Sequence, residues 1–262
     1  MNLTVVISYY KNLANLKLIL KALNTQCNHN FEAIISEDDY NAETTDFVAN
    51  HQAQYQFPIV HLNQTIDKGF RKNEMLNKSI YISKGDILAF IDGDCIPHKH
   101  FVKEYIKHTK KGYILWGRRV MLGQNISTQL LDSENVGKLG FTKLLFSDSQ
   151  LVKDALYSPH INLTFKQRGL LGCNWAIRKE HLLAINGFDE DYIKPGVGED
   201  VDIEWRLKAL GLEMKSMKNK AIVYHMYHPR SYSEDGVQFN YKLLAGKEKT
   251  NNFKCLNGIE KF

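Results

Sequence analysis

Short apolar runs alternate with amphipathic stretches along the first part of the chain. Apolar and β-branched runs predict strands at Thr4–Ser8, Ala33–Ser36, Ile59–Leu62 and Ile87–Ile91. Between these runs, apolar residues recur at helical spacing in Asn15–Asn24 and Phe70–Ser83. Strand and helix in this order predict βαβ units, and therefore an α/β fold with a mostly parallel sheet.

The pattern becomes less regular after the fourth predicted strand. Tyr113–Val120 predicts another strand, whereas Gln124–Leu163 shows no clean period and is interpreted as a mobile or partly helical insertion. The stretch "GEDVDIEWRLKALG" predicts a helix with acidic residues in its first turn. Ala221–Tyr224 predicts a last strand, which a helical tail follows.

Acidic residues follow two of the predicted strands. Glu37–Asp39 comes after the second strand, and Asp92-Gly93-Asp94 comes after the fourth. Ligands of parallel sheets bind outside the carboxyl ends of the strands, so both groups fall on the functional edge. Gly93 permits a tight bend that directs both carboxylates to one point, which suits Mn²⁺ or Mg²⁺. An ordinary Asp-Gly turn is the alternative.

Two further groups at this edge can bind a ligand. Asp38 can accept hydrogen bonds from a nucleobase imide or from ribose hydroxyls, with an Asx turn as the alternative. Arg71, Lys72 and Asn73 precede an apolar-periodic helix and can meet a phosphate or a base. A solvated helix start is the alternative for these three residues.

Glu199 and Asp200 begin the predicted C-terminal helix. The helix dipole favours carboxylates there, which is a sufficient structural reason for both. Gly196 and Gly198 precede them, however, as if the backbone made room for a ligand. A carboxylate beside a bound acceptor can act as a general base.

Histidines fall into two groups. His225 and His228 stand three residues apart at the end of the last predicted strand, where an imidazole can complete the shell of a cation. A structural role for one of them is the alternative. His98, His100 and His108 are interpreted as surface residues of one helix.

The composition is typical of a globular protein without membrane spans or disulfides. The chain has 262 residues, 44% hydrophobic and 24% charged, as in ordinary globular proteins. No apolar run approaches the roughly 18 residues that span a bilayer, and the N-terminus lacks the layout of a signal peptide. Four scattered cysteines without a CxxC pair argue against a disulfide framework or a cysteine zinc site. A reducing cytoplasm is the simplest expected setting.

The net charge of +5 is a mild excess, partly concentrated in tail lysines such as Lys247 and Lys249. These lysines can attract anionic lipid or a phosphorylated substrate; a solvated tail is the alternative. The dense, aromatic-interleaved basic stripe of a nucleic-acid-binding protein is missing, so no nucleic-acid partner is expected.

Several stretches together resemble the GT-A fold inverting glycosyltransferases of the large family 2 type. The resemblance covers most of the chain. In the N-terminal half it is carried by "LTVVISYYKN", "FEAIISEDDYN" and "DKGFRKNEMLNKSIYISKGDILAFIDGDCIP". The C-terminal half resembles a galactosyltransferase-type module through "GCNWAIRKEHLLAINGFDEDYIKPGVGEDVDIEWRLKALG" and "HMYHP". The proline-threonine that usually follows the first strand of this family is missing.

The resemblance implies one compact α/β domain of the GT-A type. A Rossmann-like nucleotide-sugar-binding half is expected at 1–120, and an acceptor-binding and catalytic half at 121–232. A basic helical tail is expected at 233–262.

The resemblance also implies the roles of the site residues. Asp92 and Asp94 form the metal-binding DxD motif for Mn²⁺ or Mg²⁺, and His225 or His228 supplies the last ligand. Asp200 is the base, and Glu199 binds the acceptor. The implied donor-binding residues are Ser8, Tyr10, Asp38, Arg71, Asn73, Asp92, Gly93 and Trp175. Asn174 and Trp175 are also expected near the acceptor.

The implied reaction is transfer of a hexose or N-acetylhexosamine with inversion. The expected donor is UDP-galactose or a UDP-N-acetylhexosamine, and the expected acceptor is a glycan or a lipid-linked sugar of surface polysaccharide biosynthesis. The expected location is the cytoplasm, with a peripheral contact at the inner face of the membrane.

Three other functions are weighed against this one. A nucleotidyltransferase needs a glycine-rich phosphate loop, and "SYYKNLANL" after the first strand has no glycine. A non-catalytic sugar-nucleotide-binding protein would not need intact Asp92, Asp94 and Asp200. A zinc hydrolase using His225 and His228 lacks a visible HExxH helix.

Overall fold

The computed structural model describes residues 2–160, 168–196, 199–229 and 234–262. The strands are β1 (Leu3–Tyr9), β2 (Phe31–Glu37), β3 (Ile59–Leu62), β4 (Ile87–Asp92), β5 (Cys95–Pro97), β6 (Tyr113–Trp116), β7 (Arg119–Met121), β8 (Asn174–Arg178), β9 (Glu213–Ser216) and β10 (Val223–His225). The helices are α1 (Leu13–Asn24), α2 (Ala42–His51), α3 (Lys72–Ile82), α4 (Phe101–His108), α5 (Gln124–Ser133), α6 (Phe141–Leu145), α7 (Lys179–Ala184), α8 (Glu199–Ala209) and α9 (Glu234–Thr250).

A seven-stranded sheet with the order β3-β2-β1-β4-β8-β6-β9 forms the centre of the molecule. Its neighbouring strands pair in parallel except on both sides of β8, which runs antiparallel to β4 and to β6. A smaller sheet, β5-β10-β7, lies beside it. The predicted α/β fold with a mostly parallel sheet is therefore confirmed.

Both faces of the central sheet are covered, because alternate residues of a strand point to opposite faces. Val5 and Ile7 of β1 belong to one apolar cluster, together with much of α1. Val6 belongs to a second cluster, which includes residues of α3 and α8 such as Leu76 and Ile203. This double burial explains why β1, β2 and β4 have nearly continuous apolar sequences.

The predicted strand at Tyr113–Val120 is wrong as a single element. Gly117 and Arg118 separate β6, in the large sheet, from β7, in the small one. A side chain at Gly117 would lie 2.2 Å from the Asn174 amide, so only glycine lets the backbone pass here. The Asn174 amide also donates to the Arg118 carbonyl at 2.7 Å. Asn174 therefore fixes the point at which the chain changes sheets.

The segment after β7 is partly helical over its described residues. It contains α5, α6 and short 3₁₀ turns at Val136–Lys138 and Val152–Ala155. A partly helical insertion is confirmed there, while the end of the predicted segment, 161–163, lies outside the described residues. The predicted helical tail is present as α9.

The prediction that His98, His100 and His108 share the surface of one helix is wrong. Only His108 lies within α4, and His100 precedes its first residue. The rings of His98 and His100 pack against Tyr157, with centroids 5.4 and 4.4 Å away. Burial lowers the pKa of His98 to about 4, so this ring stays neutral.

Among the described helices, none combines the length and the apolar run that crossing a bilayer requires.

A buried ion pair between Arg206 and Asp202 anchors α8. Arg206 Nε donates to Asp202 at 2.7 Å, and Nη1 donates to the carbonyls of Ile185 and Gly187 at 3.0 and 2.7 Å. Arg206→Ala leaves a buried carboxylate without its cation, so we expect the free energy of unfolding to fall by about 3–5 kcal/mol. Urea unfolding followed by circular dichroism measures this loss.

Arg178→Ala is the matched control, because Arg178 is partly exposed and its ion pair with Glu180 lies at the surface. We expect this variant to change the free energy of unfolding by less than about 1 kcal/mol. Equal losses in the two variants would contradict the anchoring role of Arg206.

Candidate active site

The carboxyl ends of β1, β2, β4, β6 and β9 meet at one edge of the large sheet. Ser8 pairs in register with Asp92, and Tyr9 pairs with Glu37. Because β8 is antiparallel, it starts at this edge, where Asn174 pairs with Ile91. The acidic groups that follow β2 and β4 are therefore brought to the same edge, as the sequence predicts.

The Asp92-Gly93-Asp94 turn connects β4 to β5 and directs its two carboxylates to different partners. The Gly93 amide donates to the Ser8 carbonyl at 2.7 Å. A side chain at Gly93 would lie only 3.1 Å from that oxygen. Asp92 Oδ1 lies 3.2 Å from Lys72 Nζ, whereas Asp94 faces the histidines of the small sheet. The turn thus joins two clusters, one on each side of the edge.

Asp94 and two histidines form the first cluster. Asp94 Oδ2 lies 3.0 Å from His228 Nε2 and 3.4 Å from His225 Nε2. The hydrogen bond to Asp94, against the effect of burial, raises the pKa of His228 to about 9. Burial alone would raise the pKa of Asp94, but its contacts with His228 and His225 outweigh burial and lower it. At neutral pH, Asp94 and His228 are therefore an ion pair.

The donor atoms of this cluster fit a divalent cation. Ligand atoms of Asp94, Cys95 and His225 lie within 4.8 Å of one another. The His228 Nδ1 contacts the Pro229 carbonyl at 2.8 Å, which leaves Nε2 as the nitrogen for a metal. Burial raises the pKa of the Cys95 thiol well above its usual range, so Cys95 stays neutral. A carboxylate with imidazole nitrogens is a ligand set that a divalent first-row metal ion can occupy.

Lys72 links Asp92 to the second cluster. Its Nζ lies 3.2 Å from Asp92 Oδ1 and 3.4 Å from Glu199 Oε1. Burial alone would lower the pKa of Lys72, but the charges of Asp92, Glu199 and Asp200 outweigh burial and raise it. Lys72 is therefore protonated at neutral pH. In the sequence, Lys72 stands out only as one of three polar residues near the start of a predicted helix, because no spacing relates it to its partners.

Glu199 and Asp200 lie at the start of α8, and both have raised pKa values because they are buried. The Gly172 amide approaches Asp200 Oδ2 at 3.4 Å and, with Lys72, opposes this rise. Both carboxylates line a narrow cavity together with Ser8, Lys72 and Trp175. A buried carboxylate with a raised pKa is a stronger base than one in water, as proton abstraction requires. Gly198 lies outside the described residues.

Asp38 lies at the same edge and fixes the loop before α3. Its carboxylate accepts hydrogen bonds from the Arg71 amide at 2.9 and 3.1 Å and from Gln64 Nε2 at 2.7 Å. Burial raises the pKa of Asp38 to about 6, although these hydrogen bonds oppose the rise. Tyr10 is exposed beyond the end of β1. The Arg71 guanidinium donates to the Phe70 carbonyl at 2.7 Å.

Three other predicted site residues are buried within the fold. Asn73 donates to the backbone carbonyl of Asp189 at 2.7 Å. The Asn174 side-chain amide donates to the backbone carbonyls of Arg118 and Ala221. It therefore does not face the site of an acceptor substrate, contrary to the prediction. Trp175 is 1% exposed and stacks on Phe90 with ring centroids 4.5 Å apart. Trp175 therefore forms part of the cavity wall beneath the carboxylates.

Comparisons with known proteins identify the family of the chain. The family model described as glycosyl transferase family 2 matches residues 4–182, more than half of the chain. A second model, described as the N-terminal domain of galactosyltransferase, matches residues 155–229. A curated relative, the uncharacterized glycosyltransferase YfnE of Bacillus subtilis (strain 168), is 21% identical over 98% of this chain and 72% of its own length.

Solved structures share the fold at low sequence identity. A fragment of S. aureus TarS in complex with UDP superposes with a TM-score of 0.62 at 15% identity, covering 94% of this chain and 65% of the fragment. The mannosyltransferase PcManGT from Pyrobaculum calidifontis, in complex with GDP-Man and Mn²⁺, gives a TM-score of 0.59 at 14% identity. That match covers 96% of this chain and 62% of PcManGT. The chain thus spans less than two thirds of both structures.

The family match confirms the expected enzyme class, and the similar solved structures confirm the expected GT-A fold. The chain belongs to glycosyl transferase family 2.

Proposed function

We propose that this glycosyltransferase moves a hexose or N-acetylhexosamine from a UDP-sugar to a hydroxyl group, with inversion and with the help of a divalent cation. The observation that carries the proposal is the convergence of two clusters on one turn. Asp94 meets His225 and His228 on one side of the turn, and Asp92 is joined through Lys72 to Glu199 on the other.

The similar structures support a nucleotide-sugar donor. TarS fragments are in complex with UDP and with UDP-GlcNAc, and PcManGT is in complex with GDP-Man and Mn²⁺. Because identity to these proteins is at most 15%, the choice of UDP and of the sugar remains part of our proposal. A nucleotidyltransferase or a non-catalytic binding protein finds no support in the family match.

Asp94 and His228, with His225 and Asp92, would hold Mn²⁺ or Mg²⁺. When bound, the cation supplies positive charge that neutralises the departing nucleotide diphosphate. Because the pKa of His228 is about 9, this imidazole would have to lose its proton to bind the metal, so metal affinity should fall as the pH drops below about 9. Ser8, Tyr10, Asp38, Arg71 and Gly93 lie around the same edge, where a nucleoside would be bound.

Asp200 is the base of the proposed reaction. It takes the proton of the acceptor hydroxyl, and the oxygen forms a bond to the anomeric carbon. The bond from that carbon to the diphosphate breaks, and its electron pair leaves with the nucleotide. One displacement of this kind inverts the anomeric configuration. Glu199, held by Lys72, is placed to position the acceptor.

The remaining assignments concern the chain as a whole. We assign residues 1–120 to donor binding, 121–232 to acceptor binding and catalysis, and 233–262 to a basic tail. Surface glycan synthesis at the cytoplasmic face of the membrane is the setting that we propose. A glycan or a lipid-linked sugar is the proposed acceptor.

A donor screen tests the proposed function most broadly. Purified protein with Mn²⁺ is offered UDP-, GDP-, CMP- and dTDP-sugars, and nucleotide binding and release are measured. We expect a metal-dependent response that is strongest with a UDP-sugar. No metal-dependent response to any donor would overturn the proposal.

Asp94→Ala tests the metal site. The variant removes the carboxylate that joins both histidines, so we expect Mn²⁺-dependent UDP binding to weaken at least about tenfold. Isothermal titration calorimetry with and without Mn²⁺ measures the effect. Asp132→Ala, on the exposed face of α5, is the matched control and should bind as the wild type does. Unchanged Mn²⁺-dependent binding by Asp94→Ala would remove Asp94 from the metal site.

Asp200→Asn tests the base, because it keeps the shape of the side chain and removes its ability to take a proton. We expect transfer to fall by about 10²–10⁴-fold while UDP-sugar binding stays within about threefold of the wild type. Asp132→Asn is the control for the loss of one surface carboxylate. Transfer near the wild-type rate in Asp200→Asn would show that another group is the base.

Lys72→Met tests the cation between the clusters. Glu199 and Asp200 already have raised pKa values in the fold, and without Lys72 these should rise further. At pH 7.5 the variant holds uncompensated buried charge, so we expect its free energy of unfolding to be about 1–3 kcal/mol lower than that of the wild type. As the pH falls, carboxylates with raised pKa values take up protons in the folded state before they do so in the unfolded state. The buried negative charge is thereby removed, so the stability difference between the variant and the wild type should shrink towards pH 5.

Urea unfolding at both pH values measures this difference. Lys78→Met, on the same helix, is the control because the Lys78 ammonium is partly exposed and its ion pair is with Glu74 one turn away. A stability loss in Lys72→Met that does not change with pH would contradict the proposed charge balance.

A further inference from the structure

A second cavity, of about 280 Å³, lies on the other half of the functional edge and is lined mainly by cations. Five basic side chains and a single carboxylate contribute to its wall: Arg118, Arg119, Lys153, Arg168, Lys218 and Asp154. The mechanism proposed above uses none of them. The excess of positive charge indicates a site for an anion.

The topology of the sheet explains why cations collect there. Arg118 follows the end of β6, and Lys218 follows the end of β9. Both strands run parallel to each other and antiparallel to β8, which is itself antiparallel to β4. Their carboxyl ends therefore share the edge that carries Asp92. This edge is acidic where β2 and β4 end and basic where β6 and β9 end.

Two buried donors at this cavity have no hydrogen-bond acceptor within the described parts of the chain. They are Trp116 Nε1 and Arg118 Nε. Trp116 is 2% exposed, and the Arg118 guanidinium lies over its ring at 5.2 Å. Both atoms can only donate, so an oxygen-bearing ligand is the partner that would satisfy them. A buried donor without an acceptor destabilises the fold, and a bound oxygen would remove that cost.

The positive charges of the cavity wall outnumber its negative charges. Asp154, the carboxylate of the wall, lies 3.1 Å from Lys218 Nζ and is thereby engaged. Burial lowers the pKa of Arg118, and the neighbouring charge of Arg168 lowers it further. A bound anion would relieve this crowding of positive charge.

The cavity adjoins the proposed base. Leu171 lines the cavity, and the next residue, Gly172, directs its amide at Asp200 Oδ2. Arg119 Nη1 reaches Cys173 Sγ at 3.6 Å. On the sheet, β6 and β9 lie beyond β8, on the side of β4 opposite to β1 and β2. An anion here would therefore lie on the acceptor side of Asp200, away from the predicted nucleoside site.

We propose that the acceptor carries a phosphate group, which this cavity binds while the acceptor hydroxyl lies against Asp200. The proposal rests on the proposed glycosyl transfer, since it names the class of acceptor. Phosphate offers several acceptor oxygens, which match the planar donor forks of Arg118 and Arg168 and the indole N–H of Trp116. Such a phosphate occurs in a polyol phosphodiester chain or in a lipid-linked sugar.

Binding to the metal-free protein tests this site separately from transfer. Isothermal titration calorimetry in EDTA uses three probes: a glycerol phosphate trimer, farnesyl diphosphate and maltotriose. We expect one phosphate probe to bind and the neutral maltotriose not to bind. The phosphate probe that binds more tightly identifies the source, a phosphodiester chain or a lipid. Binding of neither phosphate probe would overturn the proposal.

Variants place the probe in the cavity. Arg118→Gln combined with Arg168→Gln should weaken binding of the phosphate probe at least about tenfold, because two charged donors are lost. Arg178→Gln is the matched control, since Arg178 ends β8 at the opposite edge of the sheet, and its affinity should stay within about twofold. Wild-type affinity in the double variant would overturn the assignment. If circular dichroism shows that this variant is unfolded, Arg168→Gln and Lys153→Gln replace exposed cations and give the same test.

Competition with UDP separates the acceptor site from the donor site. With saturating UDP and Mn²⁺, the phosphate probe should bind with unchanged affinity. Displacement by UDP would mean that the cavity holds the donor diphosphate, which overturns the acceptor assignment. UDP binding without phosphate-probe binding would overturn only the acceptor assignment. Phosphate-probe binding without any UDP binding would instead overturn the proposed function.

Discussion

The contacts of Lys72 connect the parts of the site that come from distant regions of the chain. Lys72 begins α3, Asp92 ends β4, and Glu199 begins α8, so one ammonium group lies between three elements of the fold. Without this cation, the carboxylates at the edge would repel one another in a poorly solvated place. The raised pKa of Lys72 keeps it charged at neutral pH, which allows a buried acid such as Asp200 to stay ionised as a base.

The order of the strands gives the functional edge two electrostatic halves. Acidic residues follow β2 and β4, where a cation and the donor would bind, and basic residues follow β6 and β9. The antiparallel strand β8 lies between these halves and carries Trp175, which forms the wall beneath Asp200. A single displacement needs the acceptor and the leaving diphosphate on opposite sides of the sugar. The division of charge along the edge suits that arrangement.

Much of the fold follows from local sequence, whereas contacts between distant residues do not. β1, β2 and β4 were predicted within two residues at each end, because a strand buried on both faces is nearly continuously apolar. The break at Gly117 could not be predicted, since its cause is the side chain of Asn174 on another strand. Asp92 and Asp94 were found as a motif, but their different partners depend on how the small sheet packs. Lys72 and the basic cavity depend on the strand order, which local pattern does not encode.

In the proposed mechanism, one cation held by Asp94 and a histidine carries the diphosphate of the donor. Electron–nuclear double resonance on Mn²⁺ bound to the purified protein with UDP tests this arrangement. We expect coupling of the Mn²⁺ electron spin to the phosphorus nuclei of UDP and to an imidazole nitrogen of the protein. Coupling to phosphorus without coupling to an imidazole nitrogen would contradict this arrangement. Coupling to nitrogen without coupling to phosphorus at saturating UDP would contradict it as well.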